Sequence, residues 1–576
     1  MQFKQTLVRL YPQPLKGSLN YLLGIIFFLS PIFILAQTTY LPQSDKANIL
    51  LERLEIKAGK DSVLNFSKIK PFSRQQVING VKSYLQKFGN GSLSKTDAYN
   101  LRSLYINNQE YLSDVDRALY KSKKPIAKNF YTTPGTLYET HIKDFDLAIN
   151  PVLQFQYSKE NGNDESLFIN SRGVRVRGRI ANKIGFDAYI TDNQERDPLY
   201  VQQNVTLREA VPGVGLYKAF KTTGYDFFDA RGYFTFNVTK YIDVAFGYDK
   251  NFIGNGYRSL FLSDFSNNML FLKLNTRVWR FNYQNLFMEL HPAESVLTNR
   301  LLPKKYAVMH HLDINITKAL NVGLFEGVMF GRKDHFEFGY LNPVIFYRSI
   351  ELQNGSFDNS VAGFDFKANI HHQFQVYGQF LLDDINIAEL KKGSGYWANK
   401  WGIQLGAKYI DAFGIKNLDL QLESNRVRPF VYSHSDSTAN YTHYNQPLAH
   451  PLGANFQEFI AIARYQPAPR WTAIAKIITW KQGLDLPGDS YGSNIFLPNN
   501  SSYRLREFGY SLGDGRQSKG TYASFLLSYE LRENLFIDLS VVKRKLDITT
   551  APFVTTDATI ISGGIRWNMH RREFEF

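Results

Sequence analysis

From about Leu147 to Phe576 the chain alternates apolar and polar residues with a period of two. Few folds accept that pattern over such a length. A period of two places successive side chains on opposite faces of a β-strand, so the chain must build a very large sheet with two chemically different faces. The hairpin at residues 525–542 shows the pattern. Leu527, Tyr529 and Leu531 share a face with Leu535, Ile537, Leu539 and Val541, whereas Ser528, Glu530, Asp538 and Ser540 point the other way, across a turn at Arg532-Glu533-Asn534. Ile242, Val244, Phe246 and Tyr248 oppose Asp243, Ala245, Gly247 and Asp249 in the same manner, and Val174, Val176 and Ile180 oppose Arg175, Arg177 and Arg179. A soluble sandwich buries the apolar face; a membrane barrel turns it toward lipid.

The connections favour the barrel. The period predicts eighteen strands, joined alternately by short and long segments. Short connections fall near Ala181–Lys183, Thr239–Tyr241, Val278–Arg280, Thr317–Leu320, His371–His372, Asp411–Gly414, Gln466–Pro469 and Arg532–Asn534. The long ones include residues 193–225, 251–268, 331–360, 424–453 and 481–519. Outer-membrane barrels sort their connections this way, with an even strand number, short periplasmic turns and longer extracellular loops. The even count also brings both ends of the strand region to the short-turn side. Forty glycines, 35 tyrosines and 45 phenylalanines suit tight turns and aromatic girdles. No later segment is long and apolar enough for a transmembrane helix, so a membrane location requires a closed barrel.

The N-terminal residues read differently. Lys4, Arg9 and Lys16 precede an apolar run from Tyr21 to Leu35 that is interrupted by Pro31 and followed by Ala36-Gln37. This predicts a secretion signal over 1–36. With no cysteine in the chain, neither a lipid anchor nor a disulfide is available. Over 37–145 the period becomes helical: Ile49, Leu50, Leu54 and Ile56 recur at helical spacing, and Ser73 with Gln76 makes a capping-box pattern before Val77, Val81, Tyr84 and Leu85. The expected fold is an all-β transmembrane barrel over 146–576 with a small N-terminal periplasmic α-helical domain, in the outer membrane of a Gram-negative bacterium. That domain would either cap the barrel or dock a periplasmic partner.

Several segments carry a resemblance: NILLERLEIKAG and KIKPFSRQQV in the helical region, then SRGVRVRGRI, FIGNGYRSLFLSD and FGRKDHFEFGYLNPVIFYRSIELQNGS. They resemble Wzi-type capsule-assembly outer-membrane barrels, close to RemB-like gliding-motility proteins, and are spread over most of the mature chain. The resemblance implies an eighteen-stranded barrel with a periplasmic helical bundle. It further implies a non-enzymatic role in binding or anchoring capsular or exopolysaccharide, with support of gliding motility as an extension.

The candidate sites are charged or aromatic. The interior-facing parity collects Arg175, Arg177, Arg179, Lys273, Arg277, Lys408, Lys476 and Arg566 with Asp243, Asp365, Asp383, Asp419, Glu423, Glu530 and Asp538. Cross-strand ion pairs would close such a lumen; an anion-attracting conduit is the other reading. The basic triplet Arg175-Arg177-Arg179 singles itself out, because three like charges on one face repel unless acidic partners or an anion lie opposite. Loop 331–359 is the best binding candidate, either as a glycan site or as an inward plug, through Arg332, Asp334, His335, Glu337, Tyr340, Tyr347, Arg348 and Asn354. Sugars take an aromatic face and bidentate polar groups, and arginine suits carboxylate-bearing sugars. Arg258 in loop 251–264 is a possible clamp with the same two readings, and Tyr432, Tyr441, His443 and Tyr444 mark loop 424–453 as a surface contact. His310-His311 are strand neighbours that point apart, and His371-His372 sit in a turn, so no metal is expected, nor any other cofactor. The piece GNGYRS does not open a helix after a strand as a nucleotide fingerprint would. The basic net charge of +15 suits lipopolysaccharide or an acidic glycan better than nucleic acid, given export, and no nucleic-acid partner is expected. Expected partners are surface polysaccharide, outer-membrane lipid and lipopolysaccharide, with periplasmic or motility-machinery proteins as further candidates. The alternative function is a porin-like transport channel with a charged lumen.

Overall fold

The computed structural model describes residues 38–293, 301–333, 335–344 and 346–576; the predicted leader, 1–36, lies outside them. Eighteen antiparallel strands close into one barrel. In chain order β1 to β18 they are Phe145–Glu160, Leu167–Ile180, Ile184–Arg196, Gly224–Thr239, Ile242–Asp249, Met269–Val278, Phe281–Leu290, Lys305–Asn315, Leu320–Phe330, Asn359–Ile370, Phe374–Asp384, Lys400–Tyr409, Leu418–Val427, Phe456–Ala468, Trp471–Leu484, Arg516–Arg532, Leu535–Ile548 and Val554–Trp567. All eight predicted short connections join neighbouring strands at one end. The seam pairs Trp567 of β18 with Leu153 of β1 and Ile560 with Glu160. Below it, Tyr138–Ile142 forms a short hairpin with the start of β1.

The two faces settle which side meets water. On β17, Leu539 is 57% exposed while its neighbour Asp538 is 8% exposed, and Asp538 accepts from the Ser528 hydroxyl of β16 across the inner face at 2.5 Å. Phe246, Leu324, Phe364, Leu405, Phe525 and Ile561 are likewise apolar and exposed on the outer wall. At the short-turn end aromatic pairs girdle it: Phe374 stacks on Tyr409 at 4.3 Å and Trp471 lies 4.7 Å from Tyr529. An apolar outer band with an aromatic girdle is the surface of a membrane barrel.

The helical segment lies inside this cylinder, at its short-turn mouth. Helix α1 (Lys46–Ala58) is capped by the Asp45 carboxylate accepting from the Ala47 N–H. Helix α2 (Arg74–Phe88) is capped by the Ser73 hydroxyl accepting from the Gln76 N–H at 3.3 Å. The full reciprocal box occurs one helix later, where Ser94 and Asp97 cap α3 (Lys95–Ile106). Leu50, Leu54, Val77, Ile78, Val81, Tyr84, Leu101 and Leu104 bury the apolar stripes of these helices against one another. Their polar faces are left to meet the barrel's inner wall.

Candidate functional site

The inner wall predicted as charged is charged, and many of its partners come from the helical segment as well as from neighbouring strands. Lys46 pairs with Glu530 at 2.5 Å and with Glu533 at 2.9 Å; Glu52 pairs with Lys408, and Glu55 with Lys367, both at 2.6 Å. Lys68 reaches Asp365, and Arg53 reaches Asp411 and Asp419. Other pairs join wall to wall: Arg175 grips Asp187 with bonds of 3.0 and 2.7 Å, Arg179 bonds Asp146 at 2.9 Å, Arg566 bonds Asp538 at 2.5 Å, and Lys400 pairs with Asp383 at 2.5 Å. Arg177 turns to Glu110 of the helical segment at 2.9 Å. Each member of the arginine triplet therefore has an acidic partner, and the conduit reading loses the repulsion that motivated it. Outside the strands, Glu110 is driven toward higher pKa by burial, but Arg177 and Arg74 outweigh this and hold it down at about 2.

Further segments fill the lumen. The C-terminal strand ends at Trp567, and the tail that follows turns back inside. Glu573 and Glu575 pair with Lys476 of β15, Arg572 with Glu195 of β3, and Phe574 and Phe576 pack on an apolar inner wall around Ile460, Ile478 and Trp480. Helix α5 (Leu199–Arg208), past the short α4 (Asp114–Ala118), covers the same wall through Val201 and Val205. Loop 250–268 folds inward: Phe252-Ile253 pairs with Ile69-Lys70 of the helical segment. Arg258 is consumed there, donating to the Glu575 carbonyl at 2.9 Å and lying 3.6 Å from Glu458. Between helices and loops remains a chamber of about 660 Å³, roofed by Pro212, Phe265 and Pro451 and floored by Arg53, Arg74 and Asn107.

Loop 331–358 corrects the plug expectation for that segment. Tyr306, Val308, Val328 and Phe330 belong to the outward parity of β8 and β9, and the loop buries them under Tyr340, Tyr347 and Ile350. The segment is thus a flap on the outside of the barrel, because its aromatic residues find their apolar partners on the outer wall. Arg332 grips Asp358 with bonds of 2.9 and 2.6 Å, and the Tyr340 hydroxyl donates to the same carboxylate at 2.6 Å. Tyr347 is buried against His310 at 4.0 Å between ring centres. Glu337 lies 3.6 Å from Arg332, Arg348 pairs with Glu351 at 2.5 Å, and His335 and Asn354 are exposed. Asp334 lies outside the described residues. The predicted set is therefore divided: Arg258 is inside the lumen and the others are on the outer wall. The surface role expected of Tyr432, Tyr441 and His443 is also corrected. All three are buried in the barrel mouth, where the Tyr432 and Tyr441 hydroxyls donate to the Leu260 and Phe261 carbonyls at 2.8 and 2.5 Å. Burial depresses His443 to about 3.

What the sequence reading missed lies on the long-loop rim. Residues 394–397 and 507–510, from two different loops, zip together through Trp397 N–H to the Glu507 carbonyl (3.1 Å), Tyr510 N–H to Gly395 (2.9 Å) and Gly509 N–H to Ser394 (2.9 Å). Gly395 has φ +66° and a Cβ there would sit 2.7 Å from the Tyr510 nitrogen, so the approach requires glycine. The zipper gathers Tyr396 and Phe508 at 5.5 Å, Trp397 against Phe430 at 5.9 Å, and Arg504 over Trp397 at 4.2 Å; Arg506 lies over Tyr491 at 4.8 Å. Phe508 and Arg506 are exposed. Exposed ring faces beside fixed guanidinium groups offer apolar surface and bidentate donors in one place. The only sequence signal was an aromatic and arginine content split over segments about a hundred residues apart.

A family model described as "Capsule assembly protein Wzi" matches residues 159–475. Among solved structures, the chain is similar to Wzi of Escherichia coli, an outer-membrane protein involved in group 1 capsule assembly described as a carbohydrate-binding β-barrel. The TM-score is 0.54 at 14% identity, covering 93% of this chain and 100% of that one. OprD of Pseudomonas aeruginosa follows with a TM-score of 0.42 at 11% identity, over 76% and 98% of the two chains. OccAB4 of Acinetobacter baumannii gives 0.41 at 10%, over 74% and 98%. No curated protein matches the chain by sequence.

Proposed function

The chain belongs to the Wzi capsule assembly family and is an outer-membrane barrel, and from that premise we propose that it binds surface polysaccharide without enzymatic action and keeps it on the cell. Carbohydrate binding, described for the Escherichia coli relative, is extended to this chain on that reading. The observation that carries it is the combination of a lumen filled by helices, tail and inward loops with an aromatic and arginine-rich rim outside. A long external polymer then meets Tyr396, Trp397, Phe508 and Arg506, while the flap residues Arg332, Glu337 and Tyr340 serve the flap itself. Support of gliding would follow from the same attachment. For a periplasmic partner, the exposed Val115, Leu119 and Ile126 at the short-turn end are the surface this reading offers.

The test compares cell-bound with released polysaccharide in a strain lacking the gene. A shift from cell to medium at unchanged total supports anchoring, and complementation with Phe508→Ala plus Arg506→Ala should restore less of the bound fraction than the parent chain does. An unchanged distribution rejects the anchoring role.

A further inference from the structure

The outer wall is largely apolar, with an exposed Arg172–Asp192 pair on β2 and β3, and three other adjacent strands carry outward polar residues together at one level. Asn285 of β7, His310 of β8 and Glu326 of β9 are register partners, Asn285 opposite His310 and His310 opposite Glu326, and all three share the outward parity. Glu326 stands six residues up β9 from Leu320. At about 3.3 Å per residue and a tilt of about 40°, that is about 15 Å above the short-turn end, within an apolar band about 25 Å tall. Bare polar groups at that depth would face hydrocarbon, which is costly.

They are not bare. The flap passes over them: Tyr347 packs on His310, the Arg348 N–H donates to Glu326 at 3.4 Å, and the Tyr283 hydroxyl, on the third residue of β7, donates to the Pro343 carbonyl at 2.5 Å. Asn285 and His310 are buried beneath it. The exposed surface of the flap carries the polar His335, Asn342, Arg348, Gln353 and Asn354, but its large exposed side chains are mostly apolar. Phe338, Val344, Phe346 and Phe357 are 78%, 84%, 76% and 82% exposed. In water such a patch would be unusual for a loop; it is continuous with the lipid-facing wall of β6 to β10.

We propose that the described residues of 335–357 form a membrane-embedded flap, whose outer face contacts the acyl chains of the outer-membrane lipid and whose inner face hides Asn285, His310 and Glu326 from them. The occupant is lipid because the patch extends a surface that already meets lipid. It is held by its own helix α6 (Tyr347–Asn354) and the turn Phe338–Leu341, which satisfy much of its backbone internally, as hydrocarbon demands.

The absence of cysteine makes the test direct. Single-cysteine variants Phe346→Cys and Phe338→Cys carry a nitroxide label in reconstituted vesicles, with Leu324→Cys as a bare-wall reference and Leu505→Cys as a loop-tip reference. Both flap labels should collide with oxygen severalfold more than with a water-soluble nickel chelate, as Leu324 does. Nickel accessibility like that of Leu505 overturns the proposal by placing the flap in water. Suppression of both collisions overturns it too, by placing a protein surface there. Using two flap positions keeps the result independent of one substitution that perturbs folding.

Discussion

Arg53 holds three carboxylates at once, bonding Asp97 at 2.9 Å and Asp411 at 2.8 Å and pairing with Asp419. It ties a helix of the insert to a turn and a strand of the wall, and it is nearly fully buried. Arg53→Ala would strand those acids, a loss of about 3–5 kcal/mol for a broken buried pair, and protease should then cut within 38–136 under conditions where the parent chain resists. The pH dependence has a defined sign. Burial pushes Asp97 upward, but Arg53 and Lys57 outweigh it and hold the carboxyl down at about 2, as Arg177 and Arg74 do for Glu110. Their unfolded value is about 4, so the ionised groups stabilise the docked insert above that pH. The stabilisation is lost as pH falls from about 4 toward 2. Protease resistance of the insert should therefore hold from neutral pH down to about 4 and decline below it, and a decline centred near pH 6 would contradict this assignment. None of these partnerships was legible beforehand. In NILLERLEIKAG the arginine reads as an ordinary polar position of an amphipathic helix.

Among the elements, β14 to β16 show where period-two reading succeeds and where it stops. Alternation places Phe459 and Ile477 outward, and both are exposed. It gives no reason for Ile460, Ile478 and Trp480 to be apolar as well on the inner face. The reason is tertiary: helix α5 and the tail residues Phe574 and Phe576 press on that wall, so these strands have two apolar faces. The fit is close at Gly520 of β16, opposite Trp480 of β15, where an added Cβ would overlap the indole ring. Gly520→Ala should cost about 1–3 kcal/mol, as overpacking a filled core does. The readout is a lower temperature for loss of the folded band in heat-dependent gel mobility. The aromatic tail has the same explanation: Phe574 and Phe576 differ in parity from Ile561, Ile565 and Trp567 because they have left the strand.

Taken as a whole molecule, the barrel is wide enough to conduct but is occupied by the helical insert, the tail and three inward loops. The intact protein should be nearly silent in single-channel recordings. Removing residues 571–576 takes both acidic partners from Lys476 and one of two from Arg258, which keeps Glu458, and should raise conductance only modestly, since the helices still fill the short-turn mouth. High conductance from the intact chain would instead favour the channel reading. The sequence by itself determined the barrel, its eighteen strands, the segregation of short and long connections and the polarity of each face. These follow from a local period and from turn residues, and a one-residue slip would turn every side chain to the wrong side. Only the tertiary structure decided what meets each face: the helices inside, the flap outside, and the rim where segments about a hundred residues apart zip together. A strand's pattern records only that a face is apolar or charged. The partner that satisfies it is fixed by burial, and burial depends on the rest of the chain.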